Sequence, residues 1–367
     1  MMPSNYSNFS QTHKGCYIVK PEASSQGKGI YLINSTEQLK EITACLVQEY
    51  ISQPLLIRGL KFDLRVYVLI ASCYPLKIYI YDEGIARFST ELYEEPCKNN
   101  LENRFVHLTN YAINKKNPNF IYGNSINDNK THKQAISTVF KVKIMQRLES
   151  KGINCDEIWE EICDIAVKTI LTIQPFLKNC YFSAVNSNER ESKCFEVLGF
   201  DILIDKNFKP WLLEVNFTPS FTTDSHLDSI IKQSLIVDTL KKVAETPLND
   251  NFFSETINTS SSKECQQKFK YMVDNKESFR KYSEIYPNTN KPIYQKILKF
   301  SEKYWKTCAF RTEKLASPLK ASEIIEKKLV TPITYAKKAY TPFERTSNSA
   351  SPIRSRLLMQ ALEKYNE

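Results

Sequence analysis

Along the first half of the chain, short apolar stretches alternate with polar breaks at a spacing that predicts strands. CYIVKP (residues 16–21), GIYLI (29–33) and LVQEYI (46–51) open it as short β-rich segments. KFDLRVYVLIAS (61–72) and KIYIYDEG (77–84) follow, joined by the turn-like CYP, and predict a hairpin. EGIARFS (83–89) and FVHLTNY (105–111) read as further short strands or strand ends, and the Asn-rich residues 114–134 as a surface loop. The period then changes. From Asp156 to about Lys178, Ile158, Ile162, Ile165, Thr169 and Ile173 recur at helical spacing, with Asp156 placed as the N-cap and acidic residues in the first turn. CFEVLGFDILID (194–205), a turn at KNFK and PWLLEVNF (210–217) predict a second hairpin, and residues 224–243 an amphipathic helix that starts with capping residues. Beyond Pro247 the pattern thins to one predicted helix at 292–307 and a loose Ser/Thr/Pro-rich remainder. Strands that meet mainly in hairpins predict an α+β class and argue against a doubly wound parallel sheet.

Strand alternation sets Leu212, Glu214 and Asn216 on one face of the last strand, and Leu213, Val215 and Phe217 on the other. In the strand before it Gly199, Asp201 and Leu203 share a face, so a hairpin closed at KNFK sets Asp201 opposite or diagonal to Glu214. Two carboxylates and an amide among apolar neighbours call for a cation. Mg2+ suits such oxygen donors and completes its shell with water and phosphate. The competing reading is carboxylates on the exposed face of an edge hairpin. In VKPEASSQGKGI (19–30), glycines around Lys28 can fold over phosphates through backbone N–H groups. The spacing is not that of a Walker loop, QGKG equally makes a surface turn, and Lys20 equally a solvated strand end. Lys61, Asp63 and Arg65 alternate on one strand face; they suit a triphosphate or sugar hydroxyl, but alone they favour a water-facing strand with cross-strand ion pairs. Arg87, and Thr109 with Asn110, place polar side chains in apolar strands, while His107 reads as a satisfied core or surface histidine.

Composition narrows this picture in three ways. At 367 residues the chain holds one large core or about two domains. No apolar run reaches the roughly 18 residues of a membrane helix, the N-terminus shows no signal or transit pattern, and the ten cysteines show no C-x-x-C pair. A reduced cytosolic protein without a disulfide frame or zinc site is expected. Charge is uneven: residues 241–367 carry 24 Lys and Arg against 14 Asp and Glu, leaving 26 against 27 for the first 240. Such a cationic tail points to an acidic partner or to a solvated, partly disordered segment.

Taken in order, IVKPEASSQGKGIYL, QEYISQPLLIRGLKFDLRVYVL, YDEGIARFST, VHLTNYAINK, FEVLGFDILID and KPWLLEVNFTPSFTTDS resemble the tubulin tyrosine ligase-like family of ATP-grasp amino-acid ligases, from about Tyr17 to Leu240. PSFTTDS and the block after it look most like the polyglutamylase members. The resemblance implies an ATP-grasp fold whose central and C-terminal subdomains, both with antiparallel sheets, clamp ATP. It divides the chain into a partial central subdomain (1–52), a C-terminal subdomain with the Mg-ATP site (53–243) and a basic, partly helical tail (244–367) that contacts microtubules. With only the residues before Tyr17 ahead of the match, the family's N-terminal subdomain is expected to be lacking.

Carried over by resemblance, Lys20 and the loop of Gln26, Gly27, Lys28 and Gly29 cover the ATP phosphates. Gln48, Glu49, Tyr50 and Ile51 form the adenine-side hinge, and Lys61, Asp63, Thr109 and Asn110 lie at the nucleotide. Asp201, Glu214 and Asn216 hold Mg2+, two ions being expected. Arg87, Tyr111, Ala112, Lys133 and Lys232 surround free L-glutamate, with Arg87 and Glu214 at the reacting centre. Family members carry Ser where this chain has Ala112, and many polyglutamylases carry His where it has Phe217. The implied activity is ATP-dependent ligation of L-glutamate to acidic tubulin tails through an acyl phosphate. Its alternatives are a catalytically impaired microtubule-binding pseudo-ligase and a glycine or tyrosine ligase of the same family. The implied setting is a monomer in the cytoplasm and cytoskeleton, with cilium or basal body included, and with neither nucleic acid nor membrane as partner.

Overall fold

The computed structural model describes residues 15–21, 27–39, 45–118, 120, 137–139, 144–184, 194–244, 282–287 and 291–315. By internal contacts they fall into two units, the first drawn from residues 1–167 and 187–289, the second from 168–186 and 290–367.

The first unit contains two antiparallel sheets. In the smaller, β1 (Tyr17–Pro21) lies between β2 (Tyr31–Ile33) and β3 (Cys45–Glu49), and Tyr17, Val19 and Ile33 form its core. The larger sheet runs β10 (Tyr282–Tyr286), β6 (Leu76–Phe88), β5 (Leu60–Cys73), β8 (Glu196–Ile204), β9 (Pro210–Asn216), with β4 (Leu56–Ile57) beside β5 and β7 (Ser137–Val139) beside β6. Its spine is the expected first hairpin, β5 (Leu60–Cys73) and β6 (Leu76–Phe88), turning at Tyr74 and Pro75. β6 absorbs EGIARF, which the sequence pattern separates. Gly84 makes this continuation fit: a Cβ there would sit 2.4 Å from the Arg65 carbonyl oxygen. The expected second hairpin is β8 (Glu196–Ile204) and β9 (Pro210–Asn216), whose turn is held by Asp205, accepting from the Asn207 and Lys209 amides and from Trp211 Nε1. Among the described residues every pairing is antiparallel, in agreement with an α+β class.

Five local expectations are corrected. FVHLTNY is not strand but two single-turn helices, α1 (Arg104–His107) and α2 (Tyr111–Asn114); its apolar run is too short to separate the two periods. The predicted surface loop begins with buried asparagines. Asn114 accepts from the Thr90 amide and hydroxyl and donates to the Leu108 carbonyl, and Asn117 donates to Thr90 Oγ1. The rest of that loop, Phe120 apart, lies outside the described residues. After α3 (Gln146–Glu149), the long helix α4 spans Cys155–Ala184, and its N-terminal amides are capped by Asn154, which accepts from the Asp156 amide, so Asp156 sits in the first turn instead. The helix α5 (His226–Ala244) starts as expected, with Ser225 and Asp228 bonding reciprocally. Residues 282–286, expected only as tail, form β10 (Tyr282–Tyr286) against β6. In the second unit the predicted tail helix, α6, runs Pro292–Leu315. There Trp305 packs on Phe176 and donates to the Thr172 carbonyl oxygen.

The fifth correction moves a side chain near the site. Asp201 pairs with Glu214 but Ile202 pairs with Leu212, so Leu213 is the extra residue of a β-bulge. Cross-strand partners share a face, and Leu212 therefore lies with Ile202, away from Asp201.

One face of β5 carries Lys61, Asp63, Arg65, Tyr67 and Leu69 in alternation. α5 covers the Tyr67–Leu69 end through Leu227, Ile231 and Leu235, fastened by Tyr81 donating to Asp238. Burying those apolar side chains contributes roughly 1.5–3 kcal/mol each. The Lys61–Arg65 end of the same face is left to polar side chains.

Candidate functional site

Register gathers the polar residues of this face. Arg87 on β6 lies opposite Asp63 on β5, Arg65 on β5 opposite Asp201 on β8, and Asp201 opposite Glu214 on β9. Arg87 grips Asp63 with two bonds of 2.6 Å and reaches Asp201 Oδ2 at 2.9 Å. Arg65 takes both oxygens of Asp201, at 2.5 and 3.0 Å, and Thr109 donates to Asp63 at 2.7 Å. These forked pairs are charge-assisted and mutually orienting. Burial pushes the Asp201 carboxyl up, but Arg65 and Arg87 together hold it well below the usual carboxylate range. The sequence pattern had favoured a water-facing strand here. The ion pairs are present, but Asp63 and Lys61 are buried.

Glu214 differs from its partner. Burial of the carboxyl within the cleft and the Asp201 charge raise it, while its residue as a whole still reaches solvent, which screens part of that repulsion. The Asn216 amide donates to it at 3.2 Å and also points to Asp201 at 3.4 Å. Among the described residues no three His, Cys, Asp or Glu side chains gather as a metal cage. The donor set is two carboxylates and an amide oxygen, which suits a hard cation that keeps other ligands from water or phosphate. The residues fit such an ion because a carboxylate pair this close is relieved by added positive charge.

Two ammonium groups approach the same region. Lys20 Nζ donates to Gln48 Oε1 at 2.9 Å and to the carbonyl oxygen of the bulged Leu213 at 3.4 Å. Its pKa is lowered by burial, against the pull of Glu214 and Asp201. Lys61 Nζ donates to Tyr50 Oη at 2.9 Å and to the His107 carbonyl at 2.8 Å, and lies 4.2 Å from the Tyr50 ring centre. Burial drops its pKa to about 7 despite Asp63. The chain of bonds continues: Tyr50 Oη meets His107 Nδ1 at 3.1 Å, and His107 Nε2 meets the Asn100 carbonyl at 3.1 Å. A carbonyl only accepts, so the proton belongs on Nε2 and Tyr50 donates to Nδ1. Burial, then Lys61, lowers His107 to about 4.

The remaining expected residues are distributed unevenly. Gly27 and Gly29 take left-handed φ of 75° and 70°, and a Cβ on Gly27 would meet Ile113 Cδ1 at 2.5 Å and Asn110 at 3.2 Å, so this turn lies against α2. Lys28 and Glu49 are exposed, Tyr50 is buried, and Ile51 and Ala112 are half-buried. Tyr111 begins α2 and meets Phe120 edge-on, with Lys115 over its ring. Lys232 is held by Asp228 and the Thr222 carbonyl, each at 2.7 Å, on the loop after Asn216. Gln26 and Lys133 lie outside the described residues. The resemblance implies no role for Arg65 or His107. Alternation already placed Arg65 beside Lys61 and Asp63, whereas nothing local signals that His107 meets Tyr50.

Comparison with known proteins agrees in one direction. The model of the "Tubulin-tyrosine ligase family" matches residues 2–252. A "Probable beta-tubulin polyglutamylase" of Tetrahymena thermophila is 45% identical over 248 residues, 66% of this chain and 20% of that protein. The human "Tubulin polyglutamylase TTLL6" is 38% identical over 307 residues, 79% of this chain and 33% of its own length. The mouse "Tubulin monoglutamylase TTLL4" is 43% identical over 224 residues, 61% and 18%. The chain thus spans from 18% to 33% of the length of these curated relatives.

Proposed function

Because the chain belongs to the tubulin-tyrosine ligase family, we propose that it is the nucleotide-binding part of an ATP-dependent tubulin polyglutamylase, joining L-glutamate to the acidic tails of tubulin. On this reading residues 1–52 belong to an ATP-grasp central subdomain, residues 53–243 to the C-terminal subdomain, and the basic residues that follow to microtubule contact. The observation that carries the proposal is the cross-strand row of Arg87, Asp63, Arg65, Asp201 and Glu214 on one sheet face. It brings two guanidiniums to the carboxylates best suited to hold a cation.

When bound, ATP supplies the phosphoryl group that activates the acceptor carboxylate, and Mg2+ held by Asp201, Glu214 and Asn216 offsets its charge. Lys20 and Lys61 suit the polyphosphate: the first half-buried and the second buried, each is set against neutral hydrogen-bond acceptors, so an anion would satisfy both. Gly27 and Gly29 let the intervening backbone turn close to phosphate without side-chain interference. Arg87, already binding carboxylates in forked geometry, orients the carboxylates of free glutamate and steadies the oxyanion of the tetrahedral intermediate.

The test is ATP-dependent incorporation of labelled glutamate into tubulin. Incorporation lost in Arg87→Ala and Asp201→Ala is the expected result. Incorporation of glycine or tyrosine instead would redirect the assignment within the family. Microtubule binding with no incorporation would replace it with a pseudo-ligase.

A further inference from the structure

Two strands of the main sheet carry cysteines toward one place. β5 ends at Cys73, and Cys194 lies two residues before β8 begins at Glu196. The β5–β8 ladder runs as far as Ile70 opposite Glu196. On the other side of β5, Ile70 is opposite Ile78, Ser72 opposite Lys77 and Cys73 opposite Leu76, so Ala71 is an extra residue. Cross-strand partners share a face, as do residues two apart on a regular strand. Cys73 therefore shares a face with Leu76, Ile78 and Ile70, and Cys194 shares it through Glu196. With Ala71 as the extra residue, each cysteine lies two ladder steps beyond the Ile70–Glu196 pair, and the two come opposite one another. Packing agrees, since Ala71, Phe195 and Val197 group with Leu69 in the cluster under α5, on the other face. Burial raises the Cys194 thiol, and the neighbouring Cys73 raises it further, an influence that requires proximity.

We propose that Cys73 and Cys194 are a dithiol that peroxide converts reversibly into a disulfide, stapling the end of β5 to the entry of β8. Opposed residues of an antiparallel pair hold their Cα atoms about 4.5–5.5 Å apart, within the roughly 4.4–6.8 Å that a disulfide spans. Cys194 is exposed and Cys73 buried, so Cys194 is the thiol that meets oxidant first. Its thiolate attacks hydrogen peroxide: an S–O bond forms, the O–O bond breaks, and hydroxide leaves to become water. The Cys73 thiolate then attacks the sulfenic sulfur, an S–S bond forms, and a second water departs. Two thiols are oxidised by two electrons in all, and one peroxide is reduced to two waters. The raised Cys194 pKa makes the step slow at neutral pH and faster as pH rises. The bond would join the strand of Arg65 to the strand of Asp201, at the end of the sheet away from both. The pair escapes any search for short cysteine spacing, because a fold-wide loop separates its members.

The experiment treats the folded chain with hydrogen peroxide, blocks remaining thiols by alkylation, and maps disulfide peptides by mass spectrometry without reductant. A dominant Cys73–Cys194 cross-link is expected, with an upward Tm shift of about 5 °C that thiol reductant reverses. Cys194→Ala, at an exposed position, is expected to leave the reduced Tm within about 1 °C while abolishing both cross-link and shift. The proposal is overturned if both cysteines stay alkylatable in the oxidised folded chain. It is equally overturned if the cross-link forms only in denaturant, or if the Tm shift persists in Cys194→Ala.

Discussion

Two groups of charge sit side by side on the polar end of β5, and they are balanced in opposite ways. In the row of Arg87, Asp63, Arg65 and Asp201, every guanidinium faces a carboxylate, and Arg65 with Arg87 holds Asp201 ionised. Around Lys61 the acceptors are a phenol and a carbonyl, so among the described residues one buried ammonium is hydrogen-bonded without a contacting counter-ion. The first arrangement fixes geometry through forked, charge-assisted bonds. The second holds a cation whose charge is retained only weakly, a state suited to receiving an anion.

The largest effect that would break this contrast is chemical. Asp201→Asn keeps the shape of the row but removes the charge that Arg65 and Arg87 share. A loss of glutamate incorporation of about 10³-fold or more is expected, together with weaker Mn2+ binding read directly by spin resonance. Next, Arg65→Leu strands Asp201 beside a single arginine. Unfolding by denaturant should show about 3 kcal/mol of destabilisation, below the upper end for buried pairs because Arg65 is 15% exposed. An effect within experimental error would mean the row is not held by charge. Lys61→Met should behave in the reverse sense: nucleotide affinity falls about 10-fold or more, while stability is kept or improved.

Of the site, the carboxylate pairing was the most legible part. A period of two and a short turn are enough to set Asp201 against Glu214. Arg65 stood on the correct face, yet its burial was hidden, since a strand does not reveal what packs around it. The bulge was illegible because Leu212 and Leu213 are the same residue type and either could be the extra one. Tyr50 and His107 meet only through tertiary folding, so the relay beneath Lys61 left no local trace. β10 was missed although YSEIY alternates; its position in a basic, weakly patterned stretch argued for tail.

Smaller, pH-dependent effects sharpen the same comparison. In the folded chain Lys61 releases its proton near pH 7, against 10.5 ordinarily, so between these values the unfolded state binds more protons. Stability attributable to this position therefore rises with pH across that window. The advantage of Lys61→Met over the wild type in thermal melts should be greatest at or below pH 7 and vanish near pH 10. His107 is lowered from 6.5 to about 4, so its neutral form contributes stability that is complete above pH 6.5 and lost as pH falls toward 4. His107→Gln should flatten that acid slope in melts from pH 7 to 4. An unchanged slope would assign the acid sensitivity elsewhere.

β10 also changes how the cationic end of the chain can be studied. It occupies the open hydrogen-bonding side of β6, a long strand with apolar neighbours. Cutting the chain after Val243 would strip that cover and leave a row of unmet amides and carbonyls, a template for intermolecular strand pairing and precipitation. Material that pelleted with microtubules after such a cut could be aggregate. Ending the chain after Leu315 keeps β10 on β6 and Trp305 on Phe176 while removing a segment that is still net basic, so that boundary lets sedimentation report on electrostatic attachment.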